Sequence, residues 1–190
     1  MRFRRKEVSL PIFKTKFEEH LDNKDRLVEL IQAADGERID EHNQDVDDNV
    51  TKTDFCYAGD LERPWVRKLM IDFQKVFVQF AEECGHKAIV LDKIWFQLYA
   101  KNSYHNWHTH SGHYSGVYYL KYPKGSAKTQ FMDFAGIDVF EIPAKEGDII
   151  FFPCQIAHQS SIQKLDEEKI IISWNLELGK LNDTMLHYLK

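Results

Sequence analysis

Apolar residues recur with two different periods along this chain, and the change of period divides it. In "FKTKFEEHLDNKDRLVELIQAA" Phe13, Phe17, Leu21, Leu27, Leu30 and Ile31 fall at broadly helical spacing, which predicts one helix or two short ones. "ERPWVRKLMIDFQKVFVQFAEECG" is the clearer case, with Trp65, Leu69, Phe73, Val76, Phe77 and Phe80 at three- and four-residue steps. Pro64 suits its first turn and Gly85 its stop. The aromatic stripe reads as a face packed on a sheet. From residue 89 the period becomes two: in "DKIWFQLYAKN" Ile94, Phe96 and Leu98 alternate with Trp95, Gln97 and Tyr99. Further strand candidates are "SGVYYLKY", "KTQFMDF", "DVFEIP", "GDIIFFP", "AHQSSIQ" and "KIIISWNLEL", separated by turn residues at Pro123–Gly125, Gly136 and Lys145–Asp148. No helix-length pattern interrupts them. The chain therefore reads as mainly β with flanking helices (α+β), its strands forming an antiparallel sandwich or barrel rather than a βαβ fold.

Between the two helical stretches lies "DGERIDEHNQDVDDNVTKTD", polar, acidic and with almost nothing to bury. Asp45, Asp47 and Asp48 crowd together, but the glycine and closing glutamate of an EF-hand are missing, so the segment near 35–54 is expected to be a surface loop.

Composition narrows the class. A chain of 190 residues with 43% apolar and 29% charged residues suits one soluble domain, and its 13 Phe, 8 Tyr and 4 Trp favour a sheet-rich interior. A net charge of −5 argues against nucleic acid as a partner, and the basic cluster "RFRRK" reads as a solvated terminus. No apolar run approaches the ~20 residues that span a bilayer. Cys56, Cys84 and Cys154 show no CxxC spacing, which excludes a disulfide framework and suits a reducing cytoplasm. Cys154 reads as a buried structural thiol. Motifs for phosphate cradles, dinucleotide binding, zinc proteases and serine hydrolases are absent.

The chemistry concentrates in "YHNWHTHSGHYSGVYYL", where His105, His108, His110 and His113 account for four of nine histidines. In an extended segment residues i and i+2 face the same way, so His108 and His110 present two imidazoles together. Neutral imidazoles are good ligands for first-row transition metals. A third ligand must come from elsewhere, and His158, at the end of "GDIIFFPCQIAH", is the candidate. His105 and His113 are expected to line the pocket or meet solvent; His20, His42, His86 and His187 read as incidental.

At these residues the chain resembles the Fe(II)/2-oxoglutarate-dependent oxygenases, and in particular the small oxygenases of uncharacterised function that carry N..H.H....SGVYYL. The resemblance rests on Asn106, His108, His110, "SGVYYL" at 115–120, "GDIIFFP" at 147–153, His158 and "KIIISWN" at 169–175; "LPIFKTKF" also resembles that family's N-terminal strand. It implies a double-stranded β-helix, a cupin-like jelly roll flanked by helices. It also implies a single domain over 1–190: strand, packing helices and acidic loop in 1–88, and the metal-bearing core in 89–178. The implied cofactors are Fe(II) and, as small-molecule co-substrate, 2-oxoglutarate. His108 becomes the first ligand, His158 the distal one, and His110 stands where the family normally places a carboxylate. Lys169 stands where an arginine usually holds the far carboxylate of 2-oxoglutarate, with Ile171 where a hydroxyl residue is frequent and Ser173 beyond it. Tyr99 or Tyr119 is expected to add a hydroxyl donor, Asn106 and Asn175 to bond ligand oxygens or a metal histidine, and Trp95, Trp107 and Tyr118 either to wall the pocket or to pack the core.

Two departures keep other readings open. Three neutral imidazoles would leave iron(II) with a site charge of about +2, where a carboxylate would leave about +1. A lysine offers charge without the guanidinium fork, and Lys169 following "LDEE" also reads as a plain surface lysine. The alternatives are a cupin-like three-histidine dioxygenase that does not use 2-oxoglutarate, and a non-catalytic jelly-roll binding protein. No feature of the sequence selects a prime substrate or an oligomeric state.

Overall fold

Each of the seven strand candidates after residue 89 forms a strand in the computed structural model, which describes residues 10–39, 48–133 and 136–179. They are β4 (Ile89–Tyr99), β6 (Tyr114–Lys121), β7 (Thr129–Met132), β8 (Val139–Glu141), β9 (Asp148–Pro153), β10 (His158–Ser160) and β11 (Lys169–Leu178). Four more were not marked out by the period: β1 (Phe13–Lys16), β2 (Glu37–Ile39), β3 (Val50–Thr53) and β5 (His105–His108). A seven-stranded sheet runs β1-β9-β6-β11-β4-β3-β2, and a four-stranded sheet runs β5-β10-β7-β8. Every pairing is antiparallel. The architecture is a jelly roll without a closed barrel, as expected.

Helix α1 (His20–Ala33) starts later than the spacing suggested, because Phe13–Lys16 is a strand paired with β9. Phe17 then turns inward, its N–H donating to Gly147 O at 2.9 Å. The four-residue gap between Phe13 and Phe17 is therefore not a helical turn. Leu21 faces solvent, and the buried stripe is Asn23, Leu27 and Ile31. Helix α2 (Pro64–Glu83) buries the predicted positions, and Gly85 ends it at φ 75°.

The described ends of the acidic segment form two paired strands. Glu37 pairs with Thr53 and Ile39 with Val50, and β3 continues onto β4. Val50 is fully buried between the sheets. Residues 40–47, with Asp45, Asp47 and His42, lie outside the described residues, as do the "RFRRK" cluster and His187.

Two apolar layers form, one on each face of the large sheet. Trp65, Leu69, Phe73 and Phe77 of α2 and Leu27 and Ile31 of α1 pack against Phe96, Tyr118, Phe151, Ile172 and Trp174. Between the sheets lie Val117, Tyr119, Ile150, Phe152, Ile171 and Phe131. β4, β6, β9 and β11 are thus buried on both faces, which accounts for runs such as "GVYYL" and "IIISW". Of the two readings of Tyr118, pocket wall or core, the core holds: its hydroxyl meets His20 Nδ1 at 2.7 Å under the helices. Gly116 sits against the indole of Trp174, where a Cβ would lie 2.4 Å from a ring carbon, and Ser115 Oγ donates to Trp174 O at 2.8 Å. These contacts explain the "SG" that opens "SGVYYL".

Among the described residues no helix is long and apolar enough to cross a membrane.

Candidate metal centre

The site forms where the small sheet closes over the inner face of the large one. His108 ends β5 and pairs directly with His158, which begins β10, with a register shift just beyond. His110 lies two residues past the strand, held by its N–H to Cys154 O at 2.9 Å. One ligand nitrogen from each of His108, His110 and His158 falls within 4.8 Å of the others. Among the described residues no carboxylate joins them.

Hydrogen bonds set the tautomers. His108 Nδ1 donates to Asn106 O at 2.6 Å and His158 Nδ1 to Ile156 O at 3.1 Å, so each Nε2 carries a lone pair. His158 Nε2 stands 3.2 Å from His110 Nε2. Two nitrogens around one metal at ~2.1 Å would sit about 3 Å apart. Burial, reinforced by the neighbouring histidines, holds His158 well below the usual imidazole range. Burial, then His108 and Lys93, pushes His110 down to about 3, and burial lowers His108 as well. Neutral imidazoles with converging lone pairs fit a first-row transition metal.

Behind the histidines a narrow cleft is lined by Gln97, Tyr99, Thr129, Phe152, Ile171 and Ser173, among others. Lys169, at the start of β11, is fully buried, which overturns the surface-lysine reading. Its Nζ donates to Ser160 Oγ at 2.5 Å and to Ala127 O at 3.2 Å, and stands 4.0 Å from the Tyr99 ring centroid. Among the described residues no carboxylate pairs with it, and burial alone drives its pKa down to about 7. Tyr99 and Tyr119 are buried beside it, their hydroxyls pushed far up by burial; Tyr119 donates to Thr129 Oγ1 at 2.9 Å.

The remaining predicted residues take distinct places. Ser173 donates to Gln97 Oε1 at 3.4 Å. Asn106 acts through its main chain, as the acceptor for His108. Asn175 is buried opposite Lys93 and Ser115, its Oδ1 without a partner. Trp95 lies 5.5 Å from the His110 ring. His113 is half exposed and meets Glu177 at 2.5 Å. Cys154 is buried, its thiol pushed up to about 12 by burial.

His105, expected to line the pocket or meet solvent, lines it and stacks on His108 with ring centroids 3.9 Å apart. The group that the sequence did not mark for the site is Asp48, which reaches His105 Nε2 at 3.6 Å. Asp48 sits in an acidic run whose composition signals only solvation, and only the strand pairing near Asn49 and Tyr104 brings it to the site.

The chain is thus a two-sheet jelly roll with a converging histidine cluster and a buried lysine behind it. Residues 93–175 match the family model described as "Putative 2OG-Fe(II) oxygenase", and that segment carries all three histidines and Lys169. The match covers less than half of the chain, and the matched segment resembles oxygenases that use iron(II) and 2-oxoglutarate. Solved structures agree in fold. A Pseudomonas putida prolyl-4-hydroxylase superposes with TM-score 0.60 at 12% identity, over 86% of this chain and 91% of that one. The 2OG complex of the viral collagen prolyl hydroxylase of Paramecium Bursaria Chlorella virus-1 gives 0.56 at 16%, over 87% and 94%. Streptomyces hygroscopicus HygX, with nickel and 2-oxoglutarate bound, gives 0.64 at 9%, over 88% and 82%. No curated protein matches the chain in sequence.

Proposed function

We propose that this enzyme is a hydroxylase in which His108, His110 and His158 hold iron(II) and Lys169 holds the far carboxylate of 2-oxoglutarate. The observation that carries the reading is the pairing of three converging imidazoles with a buried, uncompensated lysine on the same inner face. When bound, iron and 2-oxoglutarate supply oxidative decarboxylation coupled to hydroxylation of a substrate C–H bond. The chain's own work is placement. The carbonyls of Asn106 and Ile156 orient two ligand rings. Lys169 meets an anion where it otherwise has only neutral acceptors, with Ser160 and Tyr99 fixing its head. Val117, Phe152 and Ile171 keep the intervening wall apolar and exclude water. Trp95, beside His110, lines the side from which a prime substrate reaches the metal.

A cupin-like dioxygenase without 2-oxoglutarate has no use for a buried lysine, and Lys169 weighs against it.

Under anaerobic conditions, Fe(II) followed by 2-oxoglutarate should produce a weak visible charge-transfer band. His158→Ala should abolish iron binding. Lys169→Met should leave iron bound but weaken 2-oxoglutarate at least ~100-fold, since a buried charge pair is worth several kcal/mol once its partner is removed. Iron binding without a band in the wild-type protein would rule out the 2-oxoglutarate reading.

A further inference from the structure

Three imidazoles supply no negative charge to a dication, yet a carboxylate stands one ring away. Asp48 Oδ1 accepts the Asn106 N–H at 2.6 Å, which fixes the carboxylate beside the segment that carries His108. Its Oδ2 lies 3.6 Å from His105 Nε2. Asp48 is only 14% exposed and His105 19%.

The tautomer of His105 follows from its other neighbours. Ser173 Oγ donates to Gln97 Oε1 at 3.4 Å, so the Gln97 amide nitrogen turns to His105 Nδ1, 3.0 Å away, and donates to it. His105 Nδ1 is then the acceptor, and its Nε2–H faces the Asp48 carboxylate. The ring lies nearly parallel to His108, 3.9 Å between centroids and 23° between planes. His105 thus joins a carboxylate to the face of a ligand imidazole.

We infer that Asp48, linked through His105, is the positioning carboxylate of this metal centre, supplying from outside the coordination sphere the negative charge that His110 omits from within it. The inference rests on the metal reading above. Two consequences have opposite signs. The carboxylate favours the dication, and it disfavours the dianionic co-substrate that binds next.

The test is Asp48→Asn, which keeps the acceptor for Asn106 N–H and removes the charge. Calorimetry with Co(II), an air-stable stand-in for Fe(II), should show metal affinity falling ~10-fold, within the range for loss of outer partners of metal ligands. On the Co(II)-loaded protein, 2-oxoglutarate affinity should rise severalfold. A packing defect would weaken both together, and that result would overturn the proposal. His105→Phe keeps a stacked ring but cuts the link, and in that background Asp48→Asn should change metal affinity less than it does alone. Equal effects in the two backgrounds would also overturn the linkage through His105. If the wild-type protein binds Co(II) and Asp48→Asn matches it, the proposal alone fails. If the wild type binds no Co(II), the metal reading fails with it.

Discussion

Lys169 is the residue whose surroundings say most. An ammonium sealed from water without a counter-charge pays a desolvation cost, and its pKa of about 7 registers that cost. The ordinary lysine value is 10.5, so between pH 7 and 10.5 the unfolded chain binds more protons than the folded one. The sign is that stability gains from this group as pH rises through that window. Binding an anion reverses the preference, because the charged form then has a partner. At pH 8, 2-oxoglutarate binding to the metal-loaded protein should take up close to one proton. Calorimetry in buffers of differing ionisation enthalpy reads this directly, and Lys169→Met should abolish the uptake. Sequence singled out Lys169 but left its surroundings undecided, because a lysine after "LDEE" looks the same whether the next strand faces water or a core. His108, His110 and His158 were legible from the His-x-His spacing and the later histidine after "GDIIFFP", although His110 lies past the end of β5 and His158 begins β10 instead of ending the strand before it. Asp48 was not, because its approach depends on a bridge between residues 49 and 104 that no local pattern encodes.

At the scale of elements, the inner strands of the large sheet read clearly because they are buried. β4, β6, β9 and β11 alternate between the helix layer and the inter-sheet layer, and their period showed through. β1 and β2 are short and largely exposed strands, recognised by their hydrogen-bonded partners rather than by what they bury. The inner strand β6 offers a sharp test. Gly116→Ala would put a methyl group into the Trp174 indole, and Trp174 itself is fully buried against Phe73, Phe77 and Phe151. Overpacking of this kind costs about 1–3 kcal/mol, and a ring that cannot move sets the higher end. Urea unfolding should show that loss, with the slope of the transition unchanged.

For the whole molecule, the two apolar layers separate support from chemistry. Phe73→Ala on α2 removes a ring that touches Phe17, Phe77, Tyr118 and Trp174 on the side away from the histidines. Its expected effect is a loss of ~3–5 kcal/mol of stability, with Co(II) affinity unchanged wherever the variant remains folded. The converse holds for His158→Ala, which should remove metal binding at small cost to the apoprotein. Alternation along β4 and β11 gives this separation a consequence for descent. Ile94, Phe96, Ile170 and Ile172 answer to the helices, while Gln97, Tyr99, Ile171 and Ser173 answer to the cleft. Alternate residues of the same two strands are thus held to different standards, one of shape and one of reactivity. A lineage can therefore exchange the cleft-facing letters for a new substrate without renegotiating the other half of the strand.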